Sequence, residues 1–491
     1  MSRINTNTSS LTAQIRLNRT NSDLQTSLTR LSTGLRINTG KDDPAGLIAS
    51  EALRSDITAI NKALSNTNRA TQIISTADSA LGQVSSLLND VRGLITEAAN
   101  KGAMSDDEIA ANQLQVDSSL EAINRIAQTT TFQGRKLLDG SLDFQVAQGT
   151  NFSRIKDLEI NSANLGATGS VDISINVVST ATKATKDVAL NARAADAAAN
   201  PPVTAITAGT IGDALTMQLS GANGSEVFKF EKGTSGAQIA SAINLLKDST
   251  GVEATFASAT NTLSFTSGEF GSDQAVSIEI ISEGSQGTFT TAVGAVTRVT
   301  GSDIVATVNG ATTTGKGNTL SINTPALSLK AAMASGLADN STAAFKISGG
   351  GAQFQLGPDV VSNQQARLGI RSLNTAKLGG VEGRLYEIAS DGSASLAKDV
   401  TKAAKIVDEV INKVSTMRGR LGAFQRTALE SNSVSLNDTL TNLTEAESSI
   451  RDADFAKESA ALTRAQILVQ SGTSVLGIAN QSSQSVLSLL R

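Results

Sequence analysis

From Ala461 to Leu490 the chain carries a single charged residue, Arg464, while small and apolar residues recur every three or four positions. Leu462, Ala465, Val469, Gly472, Leu476 and Ala479 make one stripe, with Leu487 further along. Ala461, Leu468 and Val475 make another beside it, next to Ile478. This is helical period with apolar residues on more than one face. Such a helix is not satisfied alone in water. It also carries too many amides and hydroxyls to suit a hydrocarbon core. The tail therefore needs protein neighbours on several sides.

The same period opens the chain. Leu17, Asn21, Leu24, Leu28, Leu31 and Leu35 form a coiled-coil seam with one polar member. Asn38, Gly40, Asp42 and Gly46 then mark a break, and Asp43 before Pro44 reads as an N-cap with proline in the first helical position. A helix is expected from there to about Asn66. A separate one, from about Arg69 to Ala99, carries Ile74, Ala77, Leu81, Val84, Leu88, Val91, Ile95 and Ala98 without a gap. Ser105 with Glu108 predicts a capping box, followed by a helix with Val116, Leu120, Ile123 and Ala127 on its inner face.

Beyond Thr129 the pattern shortens. Val171, Ile173, Ile175 and Val177 alternate strictly and read as a strand. From Thr180 to Gly350 the chain is rich in Ala, Gly, Ser and Thr, with short alternating runs. One helix is expected at Ala237–Lys247, with Ile239, Ala242, Ile243 and Leu246 inward. A hairpin at Asn309-Gly310 would join Ile304–Val308 to Leu320–Ile322. Helical period returns with Val407, Val410, Val414, Met417, Leu421, Phe424 and Ala428. After a break at Ser431–Ser435 come Leu436, Leu440, Leu443 and Ile450.

The resulting fold class is mainly α with an α+β outer part. The N- and C-terminal helices pair as a coiled-coil bundle, and β-rich domains are inserted in the middle. Three divisions are expected: 1–41 with 454–491, 42–179 with 350–453, and 180–349. The seam Leu81, Val84, Leu88, Val91 and Ile95 can face the seam Val410, Val414, Met417, Leu421 and Phe424.

Composition narrows the chemistry. The 491 residues include no His, Cys or Trp. That removes most zinc sites, thiol nucleophiles, disulfides and every Ser-His-Asp arrangement. A formal net charge of -4 makes no case for nucleic acid. No catalytic residue, metal or cofactor is expected. The nearest carboxylate pair, Glu269 and Asp273, flanks Gly271 and Ser272 in what reads as a solvated turn. The N-terminal stretch MSRINTNTSSLTAQIRLNR lacks an apolar core, so neither a cleaved secretory signal nor a membrane-inserted helix is expected.

Several of these stretches carry a family resemblance. INTNTSSLTAQIRLN and SLTRLSTGLRINTGKDDPAGLIAS at the start, and SSIRDADFAKESAALTRAQILVQSGTSVLGIANQSSQSVLSLLR at the end, resemble the two terminal signatures of bacterial flagellin. The likeness covers about 1–165 and 395–491. The stretch around Gly233–Gly251 is similar to a repeat of flagellins and hook-associated proteins.

The resemblance implies a homopolymer, the extracellular flagellar filament, with its terminal helices forming an inner coiled coil around a channel. Leu17, Leu24, Leu28, Leu31, Leu35, Leu462, Val469, Leu476, Ala479 and Leu487 would belong to that inner layer. It further implies secretion by the flagellar type III apparatus, an export chaperone on the C-terminal segment, and hook-associated junction and cap proteins as neighbours. In LNDVRGLITEAAN, Arg92 and Leu94 stand where the family has a contact with an innate-immune toll-like receptor. Asp90 and Gln115 replace an Arg and a Glu of that motif. The alternative reading is a hook–filament junction protein, which shares the terminal helices.

Overall fold

The computed structural model describes the backbone of residues 7–166, 168–195 and 205–488, with side chains up to residue 481. Three helices lead: α1 (Thr8–Thr33), α2 (Pro44–Ala98) and α3 (Asp106–Thr129). A long β-rich section follows, containing the short helices α4 (Gly236–Leu245), α5 (Lys247–Thr250) and α6 (Phe289–Val293). Three helices close the chain: α7 (Val400–Phe424), α8 (Ser431–Arg451) and α9 (Phe455–Ser488).

The helix ends follow their local chemistry. The Asn7 side chain accepts from the Ser10 amide at 2.9 Å to open α1, and Gly34, at φ 72°, closes it in the left-handed region. The Asp43 carboxylate accepts from the Gly46 amide at 2.9 Å ahead of α2. The capping box of Ser105 and Glu108 is formed at α3.

Two expected breaks are absent. α2 runs on through Asn66, Thr67 and Asn68, for about 80 Å at 1.5 Å per residue. Thr67 is buried there, and its hydroxyl donates to the Ala63 carbonyl at 2.9 Å. Weak helix formers cost only tenths of a kcal/mol each, less than the packing of a buried position supplies. The second absent break lies between α7 and α8. Instead of a loop at Ser431–Ser435, the backbone makes a π-helical turn over Gln425–Glu430. Such a turn accommodates one extra residue. The buried residue after Phe424 is accordingly Leu429, one position beyond the expected Ala428.

The middle of the chain holds two apolar cores. The first lies between a five-stranded and a four-stranded sheet. One runs Ala311–Thr312, Val305–Val308, Val171–Ser179, Ser341–Gly350, Phe144–Gln148, and the other Thr314–Lys316, Thr319–Asn323, Leu327–Met333, Ile155–Ala163. Ile173, Ile175, Val177, Leu320, Leu329 and Ile347 fill it. The second core gathers residues from Ala184 to Val293. Its sheets are Arg298–Thr300, Ala275–Glu283, Leu215–Ser220, Ser225–Phe230 and, separately, Lys183–Ala189, Thr262–Phe270, Val252–Ala257. α4 and α6 pack on it through Ile239, Ile243, Phe289 and Val293.

The expected boundaries at 180 and 349 do not separate these cores. The strands of Val305–Val308 and Ser341–Gly350 pair with Val171–Ser179 and so belong with the residues before 180. The second core connects to the first where Thr182 bridges Ser302, their hydroxyls 2.8 Å apart. Two local expectations also change. The Asn309-Gly310 turn forms, with φ of 49° and 84°, but Val308 pairs with Ala311, not with Leu320–Ile322. In α4, Ile239, Ala240 and Ile243 are buried, whereas Leu246 caps the helix and is exposed.

By compactness the chain divides into two units. One comprises Met1–Gln72, Phe354–Gln365 and Ala423–Arg491. The other comprises Ile73–Gln353 and Ala366–Gly422.

Candidate functional site

Within the first unit, α1 and α9 lie antiparallel along most of their length. Asn7 Nδ2 donates to the Ala479 carbonyl at 2.9 Å, Ser10 Oγ donates to Asn480 Oδ1 at 2.8 Å, and Arg30 sits 3.9 Å from Glu458. The far end is closed by backbone. Leu35 bridges Asp452, Arg36 N–H donates to the Arg451 carbonyl at 2.7 Å, and Ala453 N–H donates to the Gly34 carbonyl at 2.9 Å.

The seam of this pair uses Leu17, Leu24, Leu31 and Leu35 on one side, and Leu462, Ala465, Val469, Gly472, Leu476 and Ala479 on the other. Ala465 is buried and the remaining residues are half-buried, Gly472 closest to Leu17. Leu28 is not brought into the seam. It is 48% exposed, while its neighbour Ser27 is 7% exposed. Both positions satisfy a three-four spacing between Leu24 and Leu31, so the spacing alone does not choose between them. The side chain of Leu487 lies outside the described residues.

The rest of α9 is what makes this pair a site. Ile467, Leu468, Val475 and Ile478 are all exposed, Ile478 at 66%. At 3.6 residues per turn they form one stripe roughly a third of a turn round from the seam. Leu11 and Ile15 of α1 and Phe455 at the start of α9 are exposed as well. A soluble surface scatters single apolar residues, whereas a continuous helical stripe of them sets this face apart from ordinary surface. Leu468, Val475 and Ile478 are visible in the sequence as part of the second stripe. Ile467, Leu11 and Ile15 are not, because each falls outside the three-four series followed there.

Elsewhere in the first unit, Ile60, Ala63 and Leu436 form a small core with Leu64, Leu440 and Leu443. Glu51 lies 3.1 Å from both Arg54 and Arg451. Asn432 Nδ2 donates to the Leu356 carbonyl at 2.8 Å, and the Phe354 and Phe424 rings lie 5.9 Å apart.

In the second unit the long seam is fully closed within one chain. Ile74, Ala77, Leu81, Val84, Leu88, Val91, Ile95 and Ala98 of α2 are buried, as are Val410, Val414, Met417 and Leu421 of α7. α2 and α7 run antiparallel, with Asp78 3.0 Å from Arg418 and Arg92 3.0 Å from Asp408. Leu94 is half-buried beside Arg92. Phe424 belongs to the first unit and is half-buried against Phe354.

α7 also meets the polar face of the strand Ile155–Ala163. Lys413 pairs with Asp157 at 2.5 Å and with Glu409 at 3.6 Å, and Arg371 lies 3.6 Å from Asp157. Arg420 pairs with Glu159 at 3.1 Å, donates to the Gly369 carbonyl at 2.8 Å, and bonds Asn161. Burial pushes the Asp157 carboxyl up, but the Lys413 ammonium and Arg371 outweigh it and hold the group below its ordinary range. Nearby Asp143 goes the other way. Its burial dominates over the Phe144 amide and the surrounding Arg371, Arg420 and Lys377, so its carboxyl is raised. Burial likewise lowers Arg420 despite Glu159. These charges fasten helix to sheet, and most are already paired with one another.

The Glu269–Asp273 turn is occupied similarly. Asp273 pairs with Lys316 at 3.1 Å, and Ser272 is held by Asp303. Among the described residues no group of His, Cys, Asp and Glu is arranged to hold a metal ion, and no helix is long and apolar enough to cross a membrane.

Comparison with known proteins covers the same regions. Residues 4–143 match the bacterial flagellin N-terminal helical region, and residues 404–490 match the C-terminal helical region. Residues 216–269 match the flagellin hook IN motif, which spans α4 and the strands around it. The B-type flagellin of Pseudomonas aeruginosa PAO1 is 31% identical over 536 aligned residues, covering 99% of each chain. A flagellin of Salmonella typhimurium is 31% identical over 540, and flagellin A of Helicobacter pylori 27% over 530, again covering 99% of each.

Proposed function

Because the chain belongs to the bacterial flagellin family and is a structural subunit of the flagellar filament, we propose that its copies pack through the outer stripe of α9. Ile467, Leu468, Val475 and Ile478 carry this reading, since they stay exposed after α1 has covered the adjacent seam. A face left over on every copy, meeting a different face of the next, generates an open helical fibre when the rotation does not close. The seam residues Leu17, Leu24, Leu31, Leu35, Leu462, Val469, Leu476 and Ala479 then hold each subunit's own helix pair, and Leu28, Leu11 and Ile15 face neighbours. The α2–α7 seam stiffens the second unit.

The family is one of structural proteins, and full-length similarity to flagellins favours the filament over the hook–filament junction. Secretion through the flagellar export apparatus, a chaperone on the C-terminal segment, and junction and cap proteins at the filament ends complete the proposal. The low charge of α9 supports the chaperone role, because an apolar tail of this kind needs cover before assembly. For Arg92 we favour helix packing over receptor contact, on the strength of its pairing with Asp408.

The test is seeded polymerisation of purified Ile467→Asp/Ile478→Asp protein, followed by sedimentation and electron microscopy. Blocked assembly is expected, with the thermal unfolding of the β-rich cores unchanged. Filaments of normal length would overturn the packing role of this stripe.

A further inference from the structure

The second apolar core carries a feature that polymer formation does not use. The turn between the strands Leu215–Ser220 and Ser225–Phe230 contains Asn223-Gly224. A second Asn-Gly pair, Asn309-Gly310, forms the turn after Val305–Val308. Both asparagines are exposed. Both precede glycine, which leaves the following amide nitrogen unobstructed by a side chain.

Their side chains are held very differently. Asn309 accepts from the Ser174 amide at 2.8 Å and donates to the Asp172 carbonyl at 3.0 Å, so both ends of its amide are fixed to the neighbouring strand. Among the described residues the Asn223 side chain makes one hydrogen bond, donating to the Asp248 carbonyl at 3.2 Å.

We infer that Asn223 is a site of spontaneous deamidation and backbone isomerisation in the folded protein, and that Asn309 is protected. The Gly224 amide nitrogen attacks Asn223 Cγ and a new C–N bond closes a five-membered imide. The Cγ–Nδ2 bond breaks, and ammonia leaves with the proton from the Gly224 amide. Water then adds to either imide carbonyl, giving aspartate or isoaspartate. No electrons change hands, and the only co-reactant is water. At Asn309 the same attack requires Cγ to swing away from two partners, each worth about 1 kcal/mol net.

The product alters the turn. A carboxylate at 223 presents an acceptor to the Asp248 carbonyl in place of a donor, so the contact with α5 is lost. Isoaspartate also lengthens the backbone between two paired strands by a methylene. Modification is therefore expected to loosen the hairpin edge of this core while leaving the terminal helices untouched.

The experiment incubates the full chain at mildly alkaline pH in water enriched in heavy oxygen, then maps its tryptic peptides by mass. Asn223 and Asn309 fall in different peptides, 194–229 and 299–316, so each is read separately. In the folded protein Asn223 is expected to convert about fivefold faster or more, the factor given by one extra hydrogen bond at about 1 kcal/mol. In urea the two rates are expected to converge. Equal rates in the folded protein would overturn the inference. So would a difference that persists unchanged in urea, because local sequence and not structure would then be its cause.

Discussion

Leu17 of α1 and Gly472 of α9 meet so closely that a Cβ atom on Gly472 would come within 3.2 Å of Leu17 Cδ1. A methyl group there needs the end of a flexible leucine to yield by tenths of an ångström. Alanine also gains about 1 kcal/mol of helix propensity over glycine. Gly472→Ala is therefore expected to leave filament melting unchanged or slightly raised. Gly472→Val adds a stiff, β-branched side chain to the same contact and is expected to cost about 1–3 kcal/mol. Calorimetry of the filaments distinguishes the two. Equal melting of the valine and alanine filaments would show that α1 and α9 pack more loosely here.

The α2 seam and the exposed part of α3 make a matched pair. Leu88 is fully buried and Leu114 is 66% exposed. Leu88→Ala is expected to destabilise the second unit by about 3 kcal/mol. Leu114→Ala should change it by less than about 0.5 kcal/mol. Thermal unfolding of the monomer, followed by circular dichroism, checks both. A large loss at Leu114 would show that this face is covered in solution.

Two acids close together should respond to pH with opposite sign. Asp157 lies below its ordinary 3.8, so its ion pairs stabilise the fold fully above that pH and are lost as pH falls through the lowered value. Asp157→Asn at neutral pH takes the shared carboxylate from Arg371 and from Lys413, which keeps Glu409 and the Gly379 carbonyl, and is expected to cost about 1–3 kcal/mol, with the deficit shrinking in acid. Asp143 is raised above 3.8. It penalises the fold as pH rises from 3.8 through the raised value. Asp143→Asn should therefore raise the melting temperature at neutral pH and have no effect in acid. Melting curves across pH 3–7 read both signs; matching slopes for the two variants would refute the assignment.

The π turn predicts an asymmetry in deletions. Removing one residue between Gln425 and Glu430 converts it to α-helix and keeps the seams on either side in phase. The monomer is expected to lose less than about 1 kcal/mol from the π-turn deletion itself, apart from any side chain removed. Removing one residue near Val410 turns Val414, Met417 and Leu421 out of the core and is expected to prevent folding of the second unit. Circular dichroism and limited proteolysis separate these results. Equal damage from both deletions would mean that the turn has a structural role beyond its extra residue.

What is legible in the sequence is whatever repeats. The α2 and α7 seams, and the α9 stripe from Leu462 to Ala479, follow from spacing because every third or fourth side chain must be small or apolar to bury. The caps at Asp43 and Ser105 were legible because they are local side-chain chemistry. The π turn left no signal, since it substitutes ordinary helix formers for a loop. Thr67 misled for the converse reason: residues typical of turns can stay helical when a neighbour buries them. Long-range strand pairing, such as Val171–Ser179 between Val305–Val308 and Ser341–Gly350, has no local cause to be seen. The exposed face of α9 was only partly legible, because the stripe is recognised by what α1 fails to cover.

The bridge between Thr182 and Ser302 has a consequence for how such chains diversify. The backbone leaves and re-enters at two points joined by a hydrogen-bonded contact, with more than a hundred residues folded in between. Since the ends are fixed side by side, the cost of closing that excursion grows only slowly with its length. Whatever lies beyond this threshold can be exchanged, shortened or enlarged as a cassette, while the host sandwich and its helices pay no geometric toll.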